Sequence, residues 1–137
     1  MANEAQIVEL LGNAGDPVEY TVADGTGIEK GTIMKISSDP RTAAAATADG
    51  DLIAGIAAAE KVANDGSTKL AVYTNGIFDI VCTATTGSAV LGEPVKVTGA
   101  NTVAPADDAT IQHSEEVVGY ALETGSAGER VEVRVRK

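Results

Sequence analysis

The stretch VEYTVADGTGIEKGTIMKIS, Val18–Ser37, is followed about sixty residues later by a degenerate copy, FDIVCTATTGSAVLGEPVKVT, Phe78–Thr98. In that alignment Gly27 meets Gly87, Gly31 meets Gly92, and Lys35-Ile36-Ser37 meets Lys96-Val97-Thr98. Further on, LIAGIAAAE (Leu52–Glu60) lies beside EVVGYALE (Glu116–Glu123), with Gly55 opposite Gly119. Each copy then reaches a turn and an alternating strand, ANDGSTKLAVYT in the first and TGSAGERVEVRV in the second. A repeat of this length, present twice, is too long and too few-fold for a solenoid. It predicts two similar halves, about 18–77 and 78–137, combined as a small barrel or as two packed sheets.

The repeat also bears on an alanine-rich segment, RTAAAATADGDLIAGIAAAEKV, which on propensity could be helix. Its counterpart, NTVAPADDATIQHSEEVVGYALE, contains Pro105 and Asp107-Asp108, which disfavour a continuous helix. Both excursions therefore read as loops, with at most a short helix after Arg41. The C-terminal ERVEVRVRK is the cleanest strand: Val131, Val133 and Val135 point one way, Arg130, Glu132, Arg134 and Arg136 the other.

Between the halves lies TKLAVYTNGIFDIVC, Thr68–Cys82. Asn75-Gly76 between two apolar runs is the pattern of a two-residue hairpin turn. Closed there, it would pair Thr74 with Ile77, Tyr73 with Phe78 and Val72 with Asp79. One face would then carry Tyr73, Phe78 and Ile80, too apolar for solvent, and these residues are expected to make a subunit contact or to lie under a covering loop.

Core material is thin: the chain has no Trp, one Phe and three Tyr. Small and β-branched residues suit pleated sheets, so the fold class is all-β. The net charge is −10, yet the last nine residues hold four of the ten cations against two of the twenty acids. So acidic a chain is a poor grip for phosphate backbones, and no nucleic-acid partner is expected. Cys82 is the only cysteine, so no intramolecular disulfide forms, and inside a strand it reads as a small buried hydrophobe. MANEAQIVELLG lacks the basic and apolar regions of a signal peptide, and no segment is long enough to span a bilayer. The expected site of synthesis is a cytoplasm, with no membrane partner.

Reactive groups are scarce. His113, the sole histidine, sits in the polar run DDATIQHSEE and reads as an exposed loop residue, because no base–nucleophile–orienter set surrounds it. Asp49-Gly50-Asp51 and Asp107-Asp108 lack the spacing of a calcium loop and read as turn chemistry. The glycines of GTGIEKG and TGSAVLG are not followed by the residues of a phosphate cradle. No catalytic residue, metal or cofactor is expected.

The order of these motifs resembles a known family. The run from Val22 to Ile80 carries a strand and turn over Gly31–Arg41, AGIA at Ala54–Ala57 and the LAVYxxGxF stretch. With GEPVKVTGANTVAPA and AGERVEVRV after it, the chain from about Pro17 onward is similar to the head decoration, or capsid cement, proteins of tailed viruses, in their small duplicated branch. The resemblance implies a non-enzymatic β-rich domain, residues 17–137, that binds the outer surface of an assembled icosahedral shell as a homotrimer and bridges copies of the major capsid protein. It also implies an extended N-terminal arm, residues 1–16, whose strand-forming piece Gln6, Ile7, Val8, Glu9 and Leu10 could add to a capsid sheet edge. The same piece could equally be a short amphipathic helix or the first strand of the domain. Rival readings are a tail or baseplate component, or a β-rich carbohydrate-binding module, although no Trp is present to stack on a sugar.

Overall fold

The computed structural model describes residues 3–83, 89–106 and 114–137, which form two sheets built to one plan. The first contains β2 (Val18–Thr21), β3 (Ile33–Ile36), β4 (Ala43–Ala45), β5 (Ile53–Ala57) and β6 (Lys69–Tyr73) in the order β2-β6-β5-β3-β4. The second contains β7 (Asn75–Cys82), β8 (Pro94–Gly99), β9 (Thr102–Pro105), β10 (Val117–Ala121) and β11 (Arg130–Arg136) in the order β7-β11-β10-β8-β9, with β1 (Gln6–Leu10) added outside β7. Each set thus runs first, fifth, fourth, second, third. A parallel pairing of β7 with β9 closes the second set into a small barrel. In the first set a single parallel bridge, Thr21 to Thr42, joins the ends of the outer strands.

The registers agree residue by residue. Met34 faces Gly55 as Val95 faces Gly119, and Ile56 faces Tyr73 as Tyr120 faces Arg134. The expected all-β architecture of two sheets is therefore present. Among the described residues the helical content is one 3-10 turn, Ser114–Glu116. The segment after Arg41, expected to be at most a short helix, is instead strand β4, because Ala43–Ala45 pairs with Ile36, Lys35 and Met34. Tertiary pairing overrides alanine's helical preference there.

The Asn75-Gly76 hairpin does not form. Strands β6 and β7 lie in different sheets, and the chain steps from one to the other at Thr74. Asn75 and Gly76 are part of β7, where they face Arg136 and Val135, and neither has a positive φ. Gly76 is required for another reason: a Cβ there would sit 2.9 Å from the Glu9 carbonyl oxygen and 3.0 Å from the Phe78 ring. Asn75 is taken up by the N-terminal loop, its amide donating to Asp16 Oδ2 at 2.7 Å while Thr74 Oγ1 donates to the Asp16 carbonyl at 2.7 Å.

Two cores follow from this step. Val22, Ile28, Met34, Ala54, Leu70 and Val72 belong to the first set. The larger core holds Phe78, Ile80, Val95, Val97, Val118 and the three alternating valines of β11, and it includes Ile33, Ile53 and Ile56 from the outward side of the first set. Those isoleucines form the joint between the two units. Asn101 closes it, its Oδ1 accepting the Ile33 N–H at 2.9 Å, and Lys96 crosses to Asp49 at 3.0 Å.

A buried lysine secures the loops of the first set. Lys61, 3% exposed, donates from Nζ to the carbonyls of Asp24 (2.8 Å) and Val62 (3.0 Å) and to Asp65 Oδ1 (3.1 Å), with Asp24 Oδ1 at 3.4 Å. The Ser67 amide, then Lys61, hold the Asp65 carboxyl below the usual carboxylate range. Lys61→Met would leave Asp24 and Asp65 facing each other without their cation. It is expected to cost about 3 kcal/mol in urea unfolding, and a loss below about 1 kcal/mol would show the node to be dispensable.

Candidate functional site: the N-terminal strand and the seam

Residues 4–16 form a strap across both units. Ala5 N–H donates to the Gly31 carbonyl of the first set at 2.8 Å, and β1 then pairs antiparallel with β7 of the second. The register runs Gln6 to Asp79, Ile7 to Phe78, Glu9 to Ile77 and Leu10 to Gly76, with a bulge between Ile7 and Glu9. The segment Gln6, Ile7, Val8, Glu9 and Leu10, read either as an arm or as a short helix or first strand of the domain, is here the first strand of the protein's own sheet. Arg130 supports it, one guanidinium nitrogen lying 3.2 Å from the carbonyl oxygens of both Glu4 and Asp79. The loop after β1 is pinned by Asp16, whose carboxyl is lowered by the Asn75 amide and then by the Asn13 backbone N–H.

Among the described residues strand β1 has one neighbour in the sheet order, which makes it an edge strand. Ile7 (41% exposed) and Val8 (46% exposed) flank that edge. Beneath the strap, a cavity of about 290 Å³ is lined by Ala5, Ile7, Lys30, Ile56, Tyr73 and Arg130. An open edge with apolar side chains above a recess is a surface on which an extended peptide can add as a further strand.

The three residues expected at a subunit contact or under a covering loop lie close together but are buried to different degrees. Phe78 and Ile80 are 0% exposed and fill the second core. Tyr73 is half-buried at the seam, its ring 6.0 Å from that of Phe78 at 37°. The reason is the step at Thr74: β7 turns Phe78 and Ile80 into its own barrel instead of presenting them beside Tyr73 on one ribbon face.

Cys82 is buried and its thiol is pushed up, first by that burial, which makes it a poor nucleophile. Asp51 accepts from the amides of Thr47 and Ala48 at 2.9 and 3.0 Å, and Asp49 pairs with Lys96, so this acidic turn is engaged internally. Among the described residues no group of His, Cys, Asp and Glu is placed to hold a metal ion. Gly87, Asp107-Asp108 and His113 lie outside the described residues. Sequence reasoning missed a second surface, the row Pro94–Tyr120–Arg134. Its one signal was the replacement of Ile56 by Tyr120 in the repeat alignment.

No family model matches this chain, and no curated protein matches it. Among solved structures, the head fiber gp8.5 N base of bacteriophage phi29 is similar, with a TM-score of 0.55 and 17% identity over 87% of this chain and 93% of that one. At that identity the likeness establishes the fold.

Proposed function

We propose that this chain is a head-surface structural protein of a tailed bacteriophage, acting as a cement: a homotrimer that binds the assembled shell and bridges copies of the major capsid protein. The observation that carries this reading is the shared fold, which spans most of both chains and was met on a phage head fiber base. The motif order of the sequence points the same way. Cementing needs no chemistry. A protein that binds assembled shell better than separated subunits stabilises the shell by linkage, and a trimer that engages several subunits adds effective concentration to modest single contacts. The open edge of β1 is the contact we assign to the capsid, with Tyr73 at the recess beside it. We further propose that residues 17–137 are two fused copies of one unit, a reading supported by their identical strand order and register.

The test is co-sedimentation with purified shells, alongside sedimentation of the free protein. A trimer is expected, together with saturable shell binding. Changing Ile7 and Val8 to Ser should weaken binding about tenfold, the effect of losing roughly 1–2 kcal/mol of apolar contact, with an unchanged Tm. A monomer with no shell affinity would overturn the cement reading. Unchanged occupancy by the double variant would remove β1 from the mechanism.

A further inference from the structure

The matching registers permit a direct comparison of the outer faces of the two units. In the first unit, Ile33, Ile56 and Tyr73 form a continuous cross-strand row, Ile33 facing Ile56 and Ile56 facing Tyr73. In the second, Pro94, Tyr120 and Arg134 form the same row at the same positions, Pro94 facing Tyr120 and Tyr120 facing Arg134. The first row is covered by the joint at Ile33 and lies beneath the strap at Ile56 and Tyr73. The second is open: Tyr120 is 38% exposed, and the row lines a cavity of about 230 Å³ together with Val117, Arg136 and Lys137.

Its residue types are those of an interface. Tyr and Arg are enriched where binding energy concentrates. The cations are held in place. Arg134 donates to the carbonyl of Val135 at 2.6 Å, and Lys137 Nζ donates to that of Val117 at 2.8 Å, with Glu115 at 3.6 Å. Among the described residues lining it, the charged groups are Arg134, Arg136 and Lys137 against Glu115, a positive local balance on a chain of net charge −10.

The joint also bears on whether a second copy could occupy the open row in the same manner. The group that seats on the first row is Asn101, at the turn before β9, with φ +57°. Its counterpart is Arg41, at the turn before β4, with φ +48°; each is followed by a threonine in a parallel bridge, Thr102 to Val81 and Thr42 to Thr21. A second copy docking that way would bring Arg41 against Arg134 and Arg136. Pro94 also lacks the N–H that Ile33 donates to Asn101. Repetition of the internal joint between copies is therefore disfavoured by both charge and hydrogen bonding.

We propose that the open row Pro94–Tyr120–Arg134, with Arg136 at its rim, is a docking surface for an acidic segment of a partner protein. Carboxylates would meet Arg134 and Arg136, while the chain carrying them lies against Tyr120 and Pro94. This surface is distinct from the β1 edge, and its partner need not be a shell subunit.

The test is an amide NMR titration of the full chain with a hexaglutamate peptide, with hexaserine as the neutral control. Hexaglutamate should shift the resonances of Val117–Tyr120 and Arg134–Lys137, and hexaserine should not. Arg136→Glu, an exposed change expected to keep the Tm, should weaken the response at least about tenfold; Tyr120→Ala should weaken it also. Resonances of this face that stay fixed, or that respond equally in Arg136→Glu, would overturn the proposal. So would shifts of the same resonances on raising the protein concentration alone, which would assign the face to a second copy.

Discussion

Gly55→Ala is expected to destabilise the protein by about 3–5 kcal/mol, a large fraction of the roughly 5–15 kcal/mol that holds a domain folded. Gly55 lies in the middle of β5 with φ +145°, a backbone conformation that side chains resist. A Cβ at that position would overlap the carbonyl oxygen of Tyr73 and press on Val72 Cγ1 at 2.8 Å. Neither obstacle is the far end of a flexible side chain. To admit a methyl group, β5 must move away from β6, which opens the first core where Val72 is buried. Gly119 in β10 meets the Arg134 carbonyl in the same way, so Gly119→Ala should cost a comparable amount. Gly66→Ala is the control. Its φ is +85° but nothing lies within 4 Å, so only the backbone cost of about 1 kcal/mol applies. Urea unfolding of the three variants checks the ordering, and equal losses for Gly55 and Gly66 would refute the close-approach account.

Phe78→Ala is expected to cost about 3–5 kcal/mol by leaving a cavity in the larger core. Phe78 is the largest fully buried side chain, and the ring beside it is that of the half-buried Tyr73. The same substitution distinguishes two roles for this residue. A surface contact would lower assembly and leave the Tm in place; a core residue lowers the Tm in the isolated protein. Calorimetry of the free chain reads the difference directly. With a core this poor in aromatics, the loss should shift the Tm by well over 10 °C.

Much of the fold was legible because it is written in periodicity. The valines of β11 alternate with charges, and the structure buries all three. The repeat signalled Gly55 and Gly119 as equivalent, and both occupy the same close strand crossing. The Asn75-Gly76 pair misled because an apolar run, a small polar break and another apolar run read alike in two cases. One is a chain that folds back on itself, the other a chain that crosses to the next sheet. What decides between them is Asp16, which captures Asn75 and Thr74 from nearly sixty positions away. Lys61 was equally hidden, since a lysine in AEKVANDGS looks solvated until Asp24 folds over it.

Local alternation and glycine placement were enough to dictate most of the strands, since each depends on neighbours a few residues apart, whereas β4 and β9, inside the excursions read as loops, exist only through their pairing with β3 and β8. Which apolar faces would be enclosed and which left open depended on how the two units meet. Ile33–Ile56–Tyr73 and Pro94–Tyr120–Arg134 hold the same place in their sheets, and the contact between units, together with the N-terminal strap, covers the first and leaves the second open. Alternation marks the inward side chains of a strand, as in β11, but which outer face of a sheet is enclosed depends on surfaces brought together over long chain separations.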